Sequence, residues 1–281
     1  MNKLGHREVS SESFHEHADI NIYNHAYVRE RNAIVVKPTG PTSKHFALDK
    51  NGYADTSLIS YEDPYVYETM YSHLNPNNDM QWSKIRSLIN NKSNKWDDSL
   101  LLKWRPAKDI ANDHILIIGQ IPEDEVVDGF SFGDHWKKLV SIVEYFWYEI
   151  GEKNIIVKIH PSMKKRGKRK DNIDKWIQDG IDVRVDFESI HDFLPKTKVA
   201  IIENSTCGID CLMHEVPVIT YGWPEYHWVT KKLQTLPQLN NVAYDLSWHE
   251  KTRAKQFIYW YIFDYLCTDI DSTVRRLKEL L

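Results

Sequence analysis

Lys198-Val-Ala-Ile-Ile-Glu-Asn-Ser-Thr-Cys-Gly-Ile-Asp-Cys-Leu-Met-His214 runs through Glu215-Val216 into Pro217-Val-Ile-Thr220, and the architecture of the chain follows from these residues. Residues 198–202 form a short apolar run bounded by polar residues. That is the pattern of a strand covered on both faces. Residues 207–214 read as a helix and 217–220 as a second strand. A strand, a helix and a strand joined by short loops make a right-handed crossover onto a parallel sheet.

The same alternation extends upstream. His114-Ile-Leu-Ile-Ile-Gly119 is a continuous apolar strand. Residues 134–150 repeat Trp136, Leu139, Val140, Val143, Phe146, Trp147 and Ile150 at helical spacing, and Gly151 stops them. Asn154-Ile-Ile-Val-Lys-Ile159 is the next strand. A helix over 171–178 closes at Gly180, a strand follows at 182–185, and a short helix at 189–194. Before this region, residues 32–37 and 44–49 read as strands and Asn51-Gly52 as a turn. Helices are expected from Ser60 to about 73 and over 80–90. After Trp223 the chain is irregular to 242. A long aromatic helix then spans 248–268, and Asp271-Ser272 caps a last one over 273–281. The chain divides into a polar tail (1–20), an N-terminal lobe (21–110), a Rossmann-like lobe (111–247) and C-terminal helices (248–281).

Composition narrows the classes. The chain has 281 residues, 42% of them hydrophobic and 27% charged, which suits a globular protein of one large or two small domains. The net charge of -4 offers no global field for nucleic acid. Three cysteines make no disulfide framework, and no Cys/His group has metal-ligand spacing, so no metal and no cofactor are expected. The polar start lacks a signal-peptide core, and Phe257–Phe263 is too short to span a bilayer, so the expected location is cytoplasmic. Lys164-Lys-Arg-Gly-Lys-Arg-Lys170 reads first as a solvated loop. Contact with an anionic donor, acceptor or membrane face is the alternative. The aromatic segment 257–265 reads as core.

In an open parallel sheet, ligands bind beyond the carboxyl ends of the strands. Four polar clusters fall there: Gln120–Glu125, His160–Ser162, Glu203–Gly208 and Tyr221–His227. Asn204, Ser205, Thr206 and Gly208 lead into a helix, whose free N–H groups suit a phosphate. The bland alternative is a plain N-cap by Ser205 or Thr206. Lys158 and His160-Pro161 offer a cation and an imidazole at a fixed strand exit. Glu123 and Asp124 are candidate carboxylates for acid–base or nucleophilic work, against a solvated acidic loop as the ordinary reading.

Taken in order, these motifs resemble the capsule polysaccharide biosynthesis family, which includes bacterial β-Kdo transferases. The carriers are Gly119-Gln120…Asp124, Lys158-Ile-His160-Pro161, Ser205-Thr-Cys-Gly208-Ile-Asp210-Cys-Leu212, Val216-Pro-Val218 and Gly222-Trp-Pro224-Glu-Tyr226. Ala47-Leu-Asp49-Lys-Asn-Gly52-Tyr53-Ala-Asp55 is similar to a further family segment. The resemblance implies an α/β GT-B-like fold of two Rossmann-like lobes, the N-terminal one abbreviated. It implies metal-independent transfer from a nucleotide sugar to a glycan or glycolipid acceptor. CMP-Kdo is the family's donor, and a UDP- or GDP-linked neutral sugar is the alternative.

On that resemblance Asp124 and His160 are the catalytic candidates. Gln120, Lys158, Pro161, Asn204, Ser205, Thr206, Gly208, Asp210, Gly222 and Tyr226 face the donor, with Trp223 and Tyr226 able to stack on sugar or base. His45 and Asp55 face the acceptor. The sequence departs from the family at Asp210, where Glu is usual, and at His227-Trp-Val-Thr230. Other readings are an epimerase or glycerophosphotransferase on the same scaffold, or a non-catalytic glycan-binding subunit.

Overall fold

The computed structural model describes residues 20–24, 33–50, 52, 57, 59, 71–75, 79–93, 105–121, 133–160 and 167–281. The described part opens on β1 (Asn21–Asn24), β2 (Ala33–Pro38) and β3 (Phe46–Asp49), followed by α1 (Asp79–Asn90). These strands form a small sheet in the order β1-β2-β3, with β1 parallel and β3 antiparallel to β2. Strand β1 has no counterpart in the sequence reading, because four residues with two asparagines carry too little pattern.

The larger sheet alternates strands with helices. Its elements are β4 (His114–Ile118), α2 (His135–Glu144), β5 (Ile155–Lys158), α3 (Gly167–Gln178), β6 (Asp182–Arg184), α4 (Ile190–Phe193), β7 (Thr197–Ile202), α5 (Cys207–Met213), β8 (Val218–Thr220) and β9 (Lys231–Lys232). All six strands are parallel, in the order β6-β5-β4-β7-β8-β9. Counted within this sheet, that is the doubly wound order 3-2-1-4-5-6. The direction of winding reverses between β4 and β7, and a crevice opens at their carboxyl ends.

The apolar runs are continuous because both faces are covered. Leu116, Ile118, Ile156, Ala200, Ile202 and Val218 face one core, shared with α5 and α7 (Lys251–Trp260). Ile115, Ile117, Ile155, Val157, Val199, Ile201 and Ile219 face the other, against α2 and α3. The 180° alternation of a strand sends successive isoleucines to opposite cores.

Several boundaries differ from the sequence reading. The helix expected over 134–150 is α-helical only to Glu144 and finishes as a π-helical turn, Tyr145–Ile150, closed by Gly151 at φ 77°. Helix α3 starts at Gly167, so residues 167–170 of the basic run are helical rather than loop. Strand β9 and the short α6 (Leu239–Val242) occupy part of the stretch expected to be irregular. Helix α7 likewise ends in a π-helical turn, Tyr261–Tyr265. The final helix, α8 (Ile270–Leu280), is capped by Asp269, not Asp271-Ser272. Ser272 is instead the third helical residue of a reciprocal capping box with Asp269. Of the helix expected from Ser60 to about 73, residues 60–70 lie outside the described residues, as does most of the tail. Among the described residues, no helix is long and apolar enough to cross a membrane.

Candidate functional site

The crevice between β4 and β7 is closed by one reciprocal pair. Gln120 Nε2 donates to Asn204 Oδ1 at 2.8 Å, and the Asn204 backbone N–H donates to Gln120 Oε1 at 2.9 Å. Each residue stands two positions past the end of its strand, so the sheet itself sets their spacing. Beside them the Gly119 N–H donates to the Lys158 carbonyl at 2.9 Å, which brings the β5 exit into the same row. A Cβ at Gly119 would stand 2.9 Å from Leu139 Cδ2 and 3.0 Å from Ile159 Cδ1, so any larger residue would have to displace the tips of those two side chains.

Behind this pair lies a buried ionisable group that sequence reasoning did not single out. Glu203 is fully buried. Its carboxylate accepts from His135 Nδ1 and takes Lys138 Nζ at 3.2 Å. The Gln120 backbone N–H donates to His135 Nε2 at 3.3 Å. Because Nε2 accepts, the proton sits on Nδ1 and the imidazole is neutral. Burial, with the Lys138 charge adding to it, holds the His135 pKa down at about 4. Lys138 offsets the Glu203 charge. Nothing in the sequence marks His135, since it reads only as part of the first turn of the 134–150 helix. The signal that could have found it is the strand-end acid, Glu203, which cannot be buried unpaired.

The turn after β7 is built around Tyr226. Its ring packs on Gly208, where a side chain would fall inside the ring. Its hydroxyl donates to the Ser205 carbonyl. Tyr226 is 3% exposed, so the ring face expected to stack on a ligand is covered. Ser205 Oγ accepts from the Cys207 N–H at 3.2 Å in the turn entering α5, whose N-cap, Thr206, makes no side-chain capping bond. Gly222 is also steric: a side chain there would stand 2.6 Å from Glu203 Cγ and 2.8 Å from its carbonyl. The Lys232 ammonium donates to the Gly222 carbonyl and lies 4.0 Å from the centre of the Trp223 ring.

Other expected residues are spread more widely. Lys158 Nζ extends toward the Asp186 carbonyl at 3.5 Å and lies 5.3 Å from the centre of the Phe193 ring. Burial lowers its pKa. His160 is half-buried at the β5 exit. Asp210 turns toward His191, 3.8 Å from Nε2, into a cluster where the His191 and His214 rings are hydrogen-bonded at 2.8 Å. His45 is buried in the turn before β3, bonded to Thr42 Oγ1 at 2.6 Å, and burial lowers its pKa to about 4. Asp124, Pro161 and Asp55 lie outside the described residues. The structure thus brings Gln120, Asn204, Ser205, Thr206, Gly208 and Tyr226 together, and sends Asp210 and His45 into packed surroundings of their own. No group of three His, Cys, Asp or Glu side chains that could hold a metal occurs among the described residues.

A six-stranded doubly wound sheet with a polar pair at its switch point defines an α/β protein built on a Rossmann-like lobe. The sequence profile of the capsule polysaccharide biosynthesis proteins matches residues 53–270, and the chain belongs to that family. Sequence comparison with curated proteins finds no match. Among solved structures, the fold is similar to KpsC of Thermosulfurimonas dismutans. The β-Kdo 2,4 transferase of that name superposes with a TM-score of 0.55 at 14% identity, covering 87% of this chain and 79% of that one. The β-Kdo 2,7 transferase gives 0.51 at 15% identity, with 90% and 80% covered.

Proposed function

We propose that the chain is a glycosyltransferase of GT-B type that transfers a sugar from a nucleotide donor to a surface glycan or glycolipid. The observation that carries this is the Gln120–Asn204 pair at the switch point of the doubly wound sheet, in a chain of the capsule polysaccharide biosynthesis family. The donor is CMP-Kdo or a UDP- or GDP-linked neutral sugar. In the proposed step the acceptor oxygen bonds to the sugar carbon, and the bond from that carbon to the donor phosphate breaks. The leaving phosphate keeps the electron pair. His160, Ser205, Thr206 and the start of α5 stabilise its charge. Asp124 takes the acceptor proton, or attacks first as nucleophile in a double displacement. Lys158 adds positive charge at the β5 exit. No metal is required in this scheme, and the reaction belongs to the cytoplasmic side, with peripheral membrane contact at the acceptor.

Thermal unfolding of the chain with CMP, UDP and GDP tests the reading. A nucleotide at a hundred times its Kd stabilises the native state by about 2.7 kcal/mol. One nucleotide is expected to raise Tm selectively, and the matching nucleotide sugar to be consumed with release of free nucleotide and lengthening of a glycan. Asp124→Asn should abolish consumption while keeping the thermal shift. A wild-type chain that consumes no nucleotide sugar, or an Asp124→Asn variant that turns over at the wild-type rate, overturns the corresponding assignment. An isomerised donor with no longer glycan would favour the epimerase instead.

A further inference from the structure

The end of β2 brings Lys37 and Thr39 from the small sheet against the rim of the large one. They share a narrow cleft with Asn204, Thr206, Glu225 and Tyr261. Glu225 is 5% exposed. The Tyr261 hydroxyl donates to Glu225 Oε2 at 2.7 Å. The other oxygen, Oε1, stands 3.9 Å from Lys37 Nζ. That distance keeps the charges attracted but exceeds a hydrogen bond. The enclosed part of the cleft has room for about one water-sized oxygen.

The chemistry of the pair selects its ligand. An ammonium only donates and an ionised carboxylate only accepts. A phosphate or carboxylate placed between them is repelled by Glu225, and a cation is repelled by Lys37. A hydroxyl group does both jobs, accepting from Lys37 and donating to Glu225. Asn204 lines the same cleft, so this oxygen would lie beside the Gln120–Asn204 pair.

We propose that Lys37 and Glu225 form a hydroxyl-binding pair that holds one sugar hydroxyl of the acceptor glycan between the two sheets. The role given to the glycan rests on the transferase reading above; the preference for a neutral hydroxyl rests on the pair alone. Tyr261 fixes the carboxylate so that Oε1 faces Lys37.

The test uses the full chain and its Lys37→Met, Lys37→Arg and Glu225→Gln variants. Binding is measured to an immobilised panel of bacterial capsular oligosaccharides, and thermal shifts are measured with CMP, UDP and GDP. The wild type is expected to capture a glycan. Lys37→Met and Glu225→Gln should lower capture at least tenfold, with the nucleotide shift unchanged. Should Glu225→Gln fail to fold, the two lysine variants decide, Arg retaining more capture than Met. Capture at the wild-type level in the variants, loss of the nucleotide shift in step with capture, or no capture by the wild type overturns the pair. If the wild type captures a glycan that depends on the pair but consumes no nucleotide sugar, the transferase reading fails and the pair stands. If it transfers sugar and the variants keep the wild-type KM for the acceptor, the pair fails and transfer stands.

Discussion

Gly208 has no room for a side chain, because the Tyr226 ring fills the space a Cβ would take. Gly208→Ala therefore overpacks the start of α5 and should cost about 1–3 kcal/mol, read from urea denaturation. Tyr226→Leu should recover part of that loss in the double variant, whereas Tyr226→Phe, which keeps the ring, should not. Tyr226→Phe alone should cost only about 1 kcal/mol, since the Ser205 carbonyl also accepts from the Gly208 N–H at 3.0 Å. Additive losses in the Gly208–Tyr226 pair would argue against the contact. At the switch point, Asn204→Asp keeps an acceptor for Gln120 but adds a negative charge to the rim. The prediction is at least a tenfold loss of nucleotide affinity by calorimetry, about 1.4 kcal/mol. An unchanged affinity would remove Asn204 from the donor site.

At the scale of elements, α8 shows how a cap and a stripe act together. Asp269 Oδ1 accepts from the Ser272 N–H at 2.8 Å, and that hydrogen bond holds its carboxyl below the usual carboxylate range. A lowered folded pKa gives stability that is present above the unfolded value and is lost as pH falls through the folded one. Relative to its intrinsic exchange rate, the Ser272 amide should thus lose protection as pH falls below about 4, the unfolded aspartate value, and Asp269→Ala should give that lower protection at all pH values. Exchange of this amide that is indifferent to both changes would rule the cap out. Farther along, Leu277 and Leu280 pack with Ile34, Leu48 and Cys267. Leu277→Ala should cost about 2–4 kcal/mol in denaturation and expose the small sheet before the large one.

At the scale of the whole molecule, the small sheet is held by contacts with the C-terminal segment. The Tyr265 hydroxyl donates to Asp49 Oδ2 at 3.0 Å, Arg276 Nε donates to the Leu48 carbonyl at 3.3 Å, and Phe46 and Cys267 exchange backbone hydrogen bonds at 3.0 and 2.8 Å. The C-terminal helices therefore tie β3 to the rest of the chain. Buried neutral histidines give the molecule an acid-sensitive stability. Burial holds His45, His135 and His214 at about 4 in the folded protein, with Lys138 adding to the effect at His135 and His191 at His214. In the unfolded chain they titrate near 6.5. Between those values the unfolded state binds more protons, so stability falls as pH drops from about 6.5 toward 4. The urea midpoint at pH 5 should lie below that at pH 7. Equal midpoints would mean that these rings are protonated in the native state.

The doubly wound lobe is legible in the amino-acid pattern alone. The apolar runs within 114–119, 154–159 and 198–202 read as strands buried on both faces, and their alternation with helices at short loops implies parallel pairing through crossovers. The same pattern also brought out Gln120, Asn204, Ser205 and Gly208, because strand ends in such a sheet share one rim. Short elements were not legible: β1 and β9 draw their order from neighbouring strands rather than from a pattern of their own. The cap of α8 was misread for a related reason, since both Asp269 and Asp271 are chemically able to cap and only the backbone entry selects one. Which rim residues work as packing emerges only from the three-dimensional contacts. Tyr226 and Gly222 resemble ligand groups in sequence, yet one fills the space above Gly208 and the other lets the chain pass Glu203. Tertiary structure alone also paired Glu203 with His135 and Lys37 with Glu225, across 68 and 188 residues of chain. A local pattern records which side chains share a face of one element; it holds no record of which elements will later meet.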